Sequence, residues 1–231
     1  MQKEENVHIA EAKGFFDGLA NGWSQRYVDD AAMSARSERF LNGLRVFEPI
    51  GSTVLDFGCG SGLIAHYLAS NGYALTGIDV STEMISQAQT KCKGTETEFF
   101  VYEGSGKFPF DRALFDAVVS SSVLEYIPNP KNVLTECRRV LKKNGTLLVT
   151  VPDMRNEFRQ REVIRKIVIS LPIMRRFLKK TRWREGAEYL KLSCNRFSVE
   201  VWAEIISVCG FEVLPIPDEQ GPLVMISAKA I

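Results

Sequence analysis

The chain has 231 residues, 45% of them hydrophobic and 25% charged, with a formal net charge of +1. That is enough material for one domain of about this length with a sizeable core, and the charge balance excludes a global pull toward nucleic acid or another strongly charged surface. The start, MQKEENVHIAEAKG, has no apolar stretch behind a basic end, and no uncharged apolar run reaches 18 residues, so neither a secretory leader nor a spanning helix is expected. Cys59, Cys92, Cys137, Cys194 and Cys209 include no C-x-x-C pair, and His8 and His66 are the two histidines. Reduced thiols in a cytoplasmic protein without a metal are expected.

In chain order, residues 8–48 read as helices, with Phe15, Phe16, Trp23 and Tyr27 giving more aromatic surface than a linker needs. From Thr53 to Val151, short apolar runs alternate with helical stretches, the pattern of a parallel sheet with crossover helices. Strands are expected at 53–57, 74–79, 98–102, 115–120 and 145–151, with helices starting near Gly62, Ser81 and Pro130. Lys142-Lys143-Asn144-Gly145 reads as the basic last turn of the third helix followed by a turn. A helix over 198–209, a strand over 211–216 and a strand over 222–228 follow, the last two antiparallel because their connection is short. Residues 1–50 thus form an N-terminal helical cap and 153–192 a helical insertion on a single domain spanning 1–231.

The segment Val54-Leu55-Asp56-Phe57-Gly58-Cys59-Gly60-Ser61-Gly62 is a strand running into a glycine-rich turn and a helix. Glycines at 58, 60 and 62 permit positive φ and let backbone approach a ligand. A dinucleotide turn would place its third glycine at 63, which is Leu63. Asp56 before the turn would repel a pyrophosphate and suits a phosphate-free ligand bearing an ammonium group. Asp79, about twenty residues past the turn at the end of the second strand, can accept bonds from both ribose hydroxyls.

VLDFGCGSG resembles motif I of the class I S-adenosylmethionine methyltransferases, and TGIDVS their acidic-loop motif. FDAVVSSSVLEYIPNP, LKKNGTLLVTVP and NRFSVEVWAEIISVCGFEV resemble their fourth strand, fifth strand and closing helix and strand, in that order over roughly 50–230. The resemblance implies an α/β, Rossmann-like sheet of seven strands, order 3-2-1-4-5-7-6 with strand 7 antiparallel, and S-adenosylmethionine as cofactor. It puts Gly58, Gly60 and Gly62 along the methionine part, Asp56 at the ammonium, Asp79 at the ribose and Val80 and Met84 near the adenine. Glu103, where the family often has Asp, stands with Gly104 and Ser105 at the adenine edge, and Ser120 and Ser121 flank the cofactor. Arg36, ahead of Arg39 in the N-terminal helices, is a candidate partner for the cofactor carboxylate.

SVLEYIPNP is similar to the E-H-x-P-x-P stretch of the ubiquinone-biosynthesis O-methyltransferases, with Tyr126 in place of the histidine and Ser122 in place of a further glutamate. No metal is expected there. Glu125 and Tyr126 are the catalytic candidates, as base and pocket wall, if the acceptor must lose a proton. His66 reads as an ordinary helix residue. A looser resemblance to the magnesium-protoporphyrin methyltransferases, in FFDGLANGW and the long insertion, also points to a hydrophobic acceptor. The expected activity is methyl transfer, at oxygen, to a small or lipid-like acceptor. A glycan or secondary metabolite as acceptor, or a non-catalytic cofactor-binding subunit, are the alternatives.

Residues 155–184 hold eleven Lys and Arg against Glu157 and Glu162, a net of +9 in a chain that is −8 elsewhere. Ile164, Ile167, Val168, Leu171, Met174 and Leu178 recur at helical spacing, with Phe177 and Trp183 near the end. Such a helix lies on an anionic membrane, packs its apolar side on the substrate pocket as a lid, or meets nucleic acid or another polyanion, and the first two are compatible.

Overall fold

The computed structural model describes residues 2–26, 31–104, 106–171, 184–216, 218 and 221–231. Helices α1 (Gln2–Arg26) and α2 (Ala31–Phe47) precede β1 (Thr53–Phe57), and α3 (Leu63–Ser70), β2 (Ala74–Asp79), α4 (Thr82–Lys91) and β3 (Glu98–Val101) follow. Then come β4 (Phe115–Ser121), a 3-10 turn (Leu124–Tyr126), α5 (Pro130–Val140) and β5 (Leu141–Pro152). The remainder is α6 (Glu157–Ser170), α7 (Arg184–Leu192), α8 (Val199–Val208), β6 (Phe211–Val213) and β7 (Leu223–Ala230). Among the described residues no helix is long and apolar enough to cross a membrane.

The seven strands form one sheet in the order β3-β2-β1-β4-β5-β7-β6. β1 pairs parallel with β2 on one side and β4 on the other, while β7 runs antiparallel between β5 and β6. The central strands are apolar on both faces because helices cover both. Successive residues alternate between two cores. Leu55, Val118 and Leu147 pack with Leu134 of α5 and Trp202 of α8. Val54, Val119 and Leu148 pack with Phe40 of α2, Leu68 of α3 and Ala88 of α4. Asp56 therefore falls on the face covered by α2, α3 and α4. The order in which strands are added reverses between the parallel neighbours β1 and β4, and the crevice beyond their carboxyl ends at such a switch point is where open α/β sheets bind ligands.

Caps set several helix starts: the Ser81 hydroxyl accepts the Met84 amide at 3.1 Å, Asn156 accepts from Phe158, and Pro130 occupies the first turn of α5. One expected boundary is corrected. α5 ends at Val140, with Arg138 and Arg139 as its last-turn cations, and Lys142 to Gly145 lie inside β5. Buried Leu141 already pairs with Phe115, Asn144 takes φ 62°, and Lys142 Nζ is held 2.7 Å from Asp116 Oδ1. The four residues are thus an irregularity that the sheet absorbs, not a helix terminus. β6 is also shorter than expected, ending at Val213, and β7 runs on to Ala230.

Trp202 is fully buried in the α5–α8 core. Trp202→Ala is expected to cost about 3–5 kcal/mol of stability, as large-to-small core truncations do; urea denaturation measures it, and a loss below 1 kcal/mol would contradict this packing.

Candidate cofactor and acceptor site

β1 ends at Phe57 and the chain turns through Gly58 (φ 73°), Gly60 (φ 51°) and Gly62 before α3. A Cβ on Gly58 would lie 2.2 Å from Val123 Cγ2, so packing as well as φ demands glycine there. A Cβ on Gly60 would meet no protein atom within 4 Å, so that turn of backbone faces open space. The Asp79 carboxylate spans the turn: Gly60 N–H donates to Oδ2 and Ser81 N–H to Oδ1, each at 2.9 Å. Asp56 is 2% exposed and its Oδ2 has no hydrogen-bond partner. Burial, and secondarily the Asp79 charge, push its carboxyl up to about 7. Such an orphaned oxygen is costly unless a ligand supplies the donor.

Beside the turn lies a cavity of about 150 Å³. Its lining combines Gly58, Asp79, Gly104 and Ser121 with Phe16, Trp23, Tyr126, Ile127 and Pro128. α1 roofs it. Asp17 Oδ1 accepts from the Ser81 hydroxyl at 2.6 Å, the Ala20 carbonyl from Gln87, and Glu11 pairs with Lys191 at 2.7 Å. His8 Nε2 is 2.9 Å from the Tyr126 carbonyl, and the Phe16 ring stands edge-on to Tyr126 at 5.4 Å. Ile9 packs so close to Gly104 that a Cβ there would fall 2.4 Å from its Cγ2.

The expected site residues are distributed unevenly around this cavity. Gly58, Asp79, Val80, Gly104, Ser121 and Tyr126 line it. Met84 is buried in the core, and Glu103 is exposed on a separate shallow depression beside Asn6 and Lys13. The Ser120 hydroxyl donates to the Phe57 carbonyl at 2.9 Å, tying β4 to β1. Ser105 lies outside the described residues. Arg36 is placed where its charge acts on Glu125, and Arg39 donates to the Leu223 carbonyl. His66 is exposed. Sequence reasoning missed Ile9 and Asp17, which have no motif; the aromatic surplus of α1 was the signal for Phe16 and Trp23.

Next to Tyr126 in the chain, Glu125 is 1% exposed with Oε2 unpartnered, and burial outweighs the nearby guanidiniums to push it up to about 7. Burial also raises the Tyr126 hydroxyl, which is bonded to Tyr189. Among the described residues no three His, Cys, Asp or Glu side chains gather as a metal site.

Residues 55–149, from within β1 through most of β5, match the family described as a methyltransferase domain. This stretch is a class I S-adenosylmethionine methyltransferase domain. Ubiquinone biosynthesis O-methyltransferase of Xanthomonas axonopodis pv. citri is 30% identical over 156 residues, 64% of this chain and 63% of that one. Demethylmenaquinone methyltransferase of Tropheryma whipplei is 29% identical over 147 residues, 62% of this chain and 59% of that one. The alignments thus span a little under two thirds of these relatives. In fold, the chain is similar to magnesium protoporphyrin IX methyltransferase of Synechocystis with bound SAH (TM-score 0.68, 17% identity, 95% and 98% of the two chains). It is also similar to a chain of the Haloferax volcanii complex of a methyltransferase and its Trm112 activator (TM-score 0.69, 21% identity, 93% and 97%).

The cofactor of the methyltransferase domain is S-adenosylmethionine, and the residues fit it. Asp56 has a buried oxygen awaiting a donor, Gly60 leaves room at the turn, and no Lys or Arg among the described residues lines the cavity to meet a phosphate.

The carboxyl groups of Asp56 and Glu125 both titrate near 7 in the folded chain. Below the ordinary carboxylate range both states are protonated and nothing is lost. Above it the unfolded chain ionises first, so stability falls as pH rises toward 7 and then levels. The melting temperature of the ligand-free protein is expected to drop between pH 5 and 8, with a shallower drop in Asp56→Asn. A melting temperature rising across that window would contradict the burial of these groups.

Proposed function

We propose that this chain transfers the methyl group of S-adenosylmethionine to an oxygen of a small or lipid-like acceptor. The observation that carries the reading is a single cavity whose lining joins Gly58 of the glycine turn and Asp79 to the aromatic side chains of Phe16, Trp23 and Tyr126. The cofactor, when bound, supplies a methyl group activated by its sulfonium. Asp79 holds the ribose hydroxyls and Asp56 the ammonium, with Gly58, Gly60 and Gly62 along the methionine part. Val80, Met84, Glu103, Gly104 and Ser105 belong to the adenine side and Ser121, beside Ser120, to the approach of the acceptor. Arg36 of α2 is the candidate partner of the cofactor carboxylate, and its charge also acts on Glu125. Glu125, protonated or ionised within the neutral range, is suited to take the acceptor's proton, and Tyr126 to form the wall against which the acceptor is positioned. The aromatic lining favours an apolar acceptor, in keeping with the names of the quinone-pathway relatives.

We further propose that the protein works at the cytoplasmic surface of an anionic membrane, contacted through α6. Support comes from the direction of that helix: Arg159 and Glu162 face inward, while Ile164 and Ile167 are 63% and 62% exposed and Phe158, Val168 and Leu171 are exposed with them. An apolar face turned outward does not favour a lid packed on the pocket. Arg161 and Arg165 are exposed on the same helix. Met174, Arg175, Arg176, Phe177, Leu178, Lys179, Lys180 and Trp183 lie outside the described residues.

Asp79→Ala is expected to weaken S-adenosylhomocysteine binding by about 1.5–3 kcal/mol, the worth of hydrogen bonds to a charged group. Calorimetry on the folded variant measures it, and unchanged affinity would place the ribose elsewhere. Transfer of labelled methyl from S-adenosylmethionine should appear in the lipid fraction of a cell extract; label found in soluble sugars alone would favour a glycan acceptor. Wild-type protein should bind phosphatidylserine vesicles more tightly than phosphatidylcholine ones, with the difference shrinking as salt rises. Ile164→Glu combined with Ile167→Glu should abolish this without altering cofactor affinity, and retained vesicle binding would remove the membrane role.

A further inference from the structure

The cavity beside the glycine turn and the depression at Glu103 share a wall. Ile9 of α1, Val80 and Tyr102 line both. The wall is tight because Gly104, at φ 82°, has no side chain: Ile9 Cγ2 and Val80 Cγ1 lie 2.4 and 3.3 Å from where its Cβ would stand. The cavity, at about 150 Å³, is smaller than the roughly 300 Å³ at which ligand pockets begin, and the depression adds about 350 Å³. Asp79 lines the first and Glu103 the second. A cofactor with its ribose at Asp79 and its adenine edge toward Glu103 therefore has to cross the place where Ile9 packs.

Ile9 sits on the less firmly held half of α1. Beyond Gly14 the helix is anchored to α4. Asp17 accepts from the Ser81 hydroxyl at 2.6 Å and the Glu83 amide at 3.3 Å, and the Ala20 carbonyl accepts from Gln87 at 2.5 Å. Ahead of Gly14, Ala12 alone is buried among residues 4–13. His8 meets the Tyr126 carbonyl at 2.9 Å, and Glu11 pairs with Lys191 at an exposed position, where an ion pair holds weakly. Gly14 and Gly18 stand one turn apart on the face opposite Ile9 and Phe16. Both are exposed, and a Cβ on either would meet nothing within 4 Å. No contact calls for glycine there, and glycine inside a helix weakens it relative to alanine. The helix is thus softest where its loosely held half joins its anchored half.

We propose that residues 2–13 of α1 act as a lid over the cofactor cleft, hinged at Gly14 and Gly18, with Ile9 as the plug that divides the cleft when the lid is down. The inference rests on the placement of the cofactor given under the proposed function. Raising the lid joins the cavity to the depression, and S-adenosylmethionine enters and S-adenosylhomocysteine leaves through the joined cleft. A gate of this kind sets rates. What holds it down slows entry and release together, whereas a wall that only packs on the bound ligand sets release alone.

The test is stopped-flow tryptophan fluorescence of S-adenosylhomocysteine binding, with Trp23 in the cavity lining as the reporter. Ile9→Ala is expected to speed association at least fivefold. Gly14→Ala combined with Gly18→Ala should slow association and release together, each at least threefold, with affinity changed less than twofold. Neither glycine lines the cavity or the depression, so contact with the ligand does not account for such a change. Hydrogen exchange on the wild type needs no variant: amides of residues 6–13 should exchange at least tenfold faster than those of α5 without ligand, and slow on saturation with S-adenosylhomocysteine. Association that is unchanged or slower in Ile9→Ala, unchanged rates in the glycine variant, or residues 6–13 as protected as α5 without ligand would each overturn the lid. A wild type that fails to bind S-adenosylhomocysteine sinks the functional reading itself, whereas binding at rates indifferent to both variants sinks only the lid.

Discussion

The Asp79 carboxylate is the fastening on which the site depends. One oxygen takes the Gly60 amide and the other the Ser81 amide, so the turn after β1 and the start of α4 are held to one another across the end of β2. From Ser81 the chain of bonds continues: its hydroxyl caps α4 at Met84 and donates to Asp17, which brings α1 down as a roof. A single strand-end residue thus sets the floor of the site, the helix beside it and part of its cover. Burial raises the carboxyl of Asp79, and the backbone donors work against that rise.

The buried polar atoms left without partners are not scattered evenly. Asp56 Oδ2 and Ser61 Oγ stand at the glycine turn, and Glu125 Oε2 and the Arg196 nitrogens lie in the region around Tyr126. Ser193 Oγ and, in the α5–α8 core, Trp202 Nε1 are also unpartnered. Each such atom destabilises the folded chain, because water no longer solvates it.

Within the described part of the insertion, α6 has two chemically different faces. α6 turns Arg159 and Glu162 inward, where with Tyr189 and Arg196 they form the wall behind Tyr126, and it turns its apolar residues to solvent. The arrangement inverts the usual amphipathic helix, and the reason is local. The inward face meets charged and hydroxyl groups of α7 and the following segment, not the sheet's apolar core, so paired polar side chains are the ones that can be buried there.

Much of the architecture was legible in the sequence. The alternation of apolar runs with helical stretches, the glycine spacing after β1 and the two strand-end carboxylates are local patterns, and local backbone preferences enforce them whatever surrounds them. The strand order came from the family resemblance that these motifs carry, and the sheet has that order. The helix boundary at Lys142 was misread because the pairing of Leu141 with Phe115, a contact between different strands, outweighed a turn signal. Only the tertiary structure decided which face of α6 points inward, that Arg36 stands by Glu125, and that α1 closes the site. The physical reason is sequence distance. His8 meets Tyr126 across 118 positions and Asn195 reaches Leu124 across 71, and electrostatic pairing at such range depends on where the folded sheet delivers each side chain, which no periodicity records.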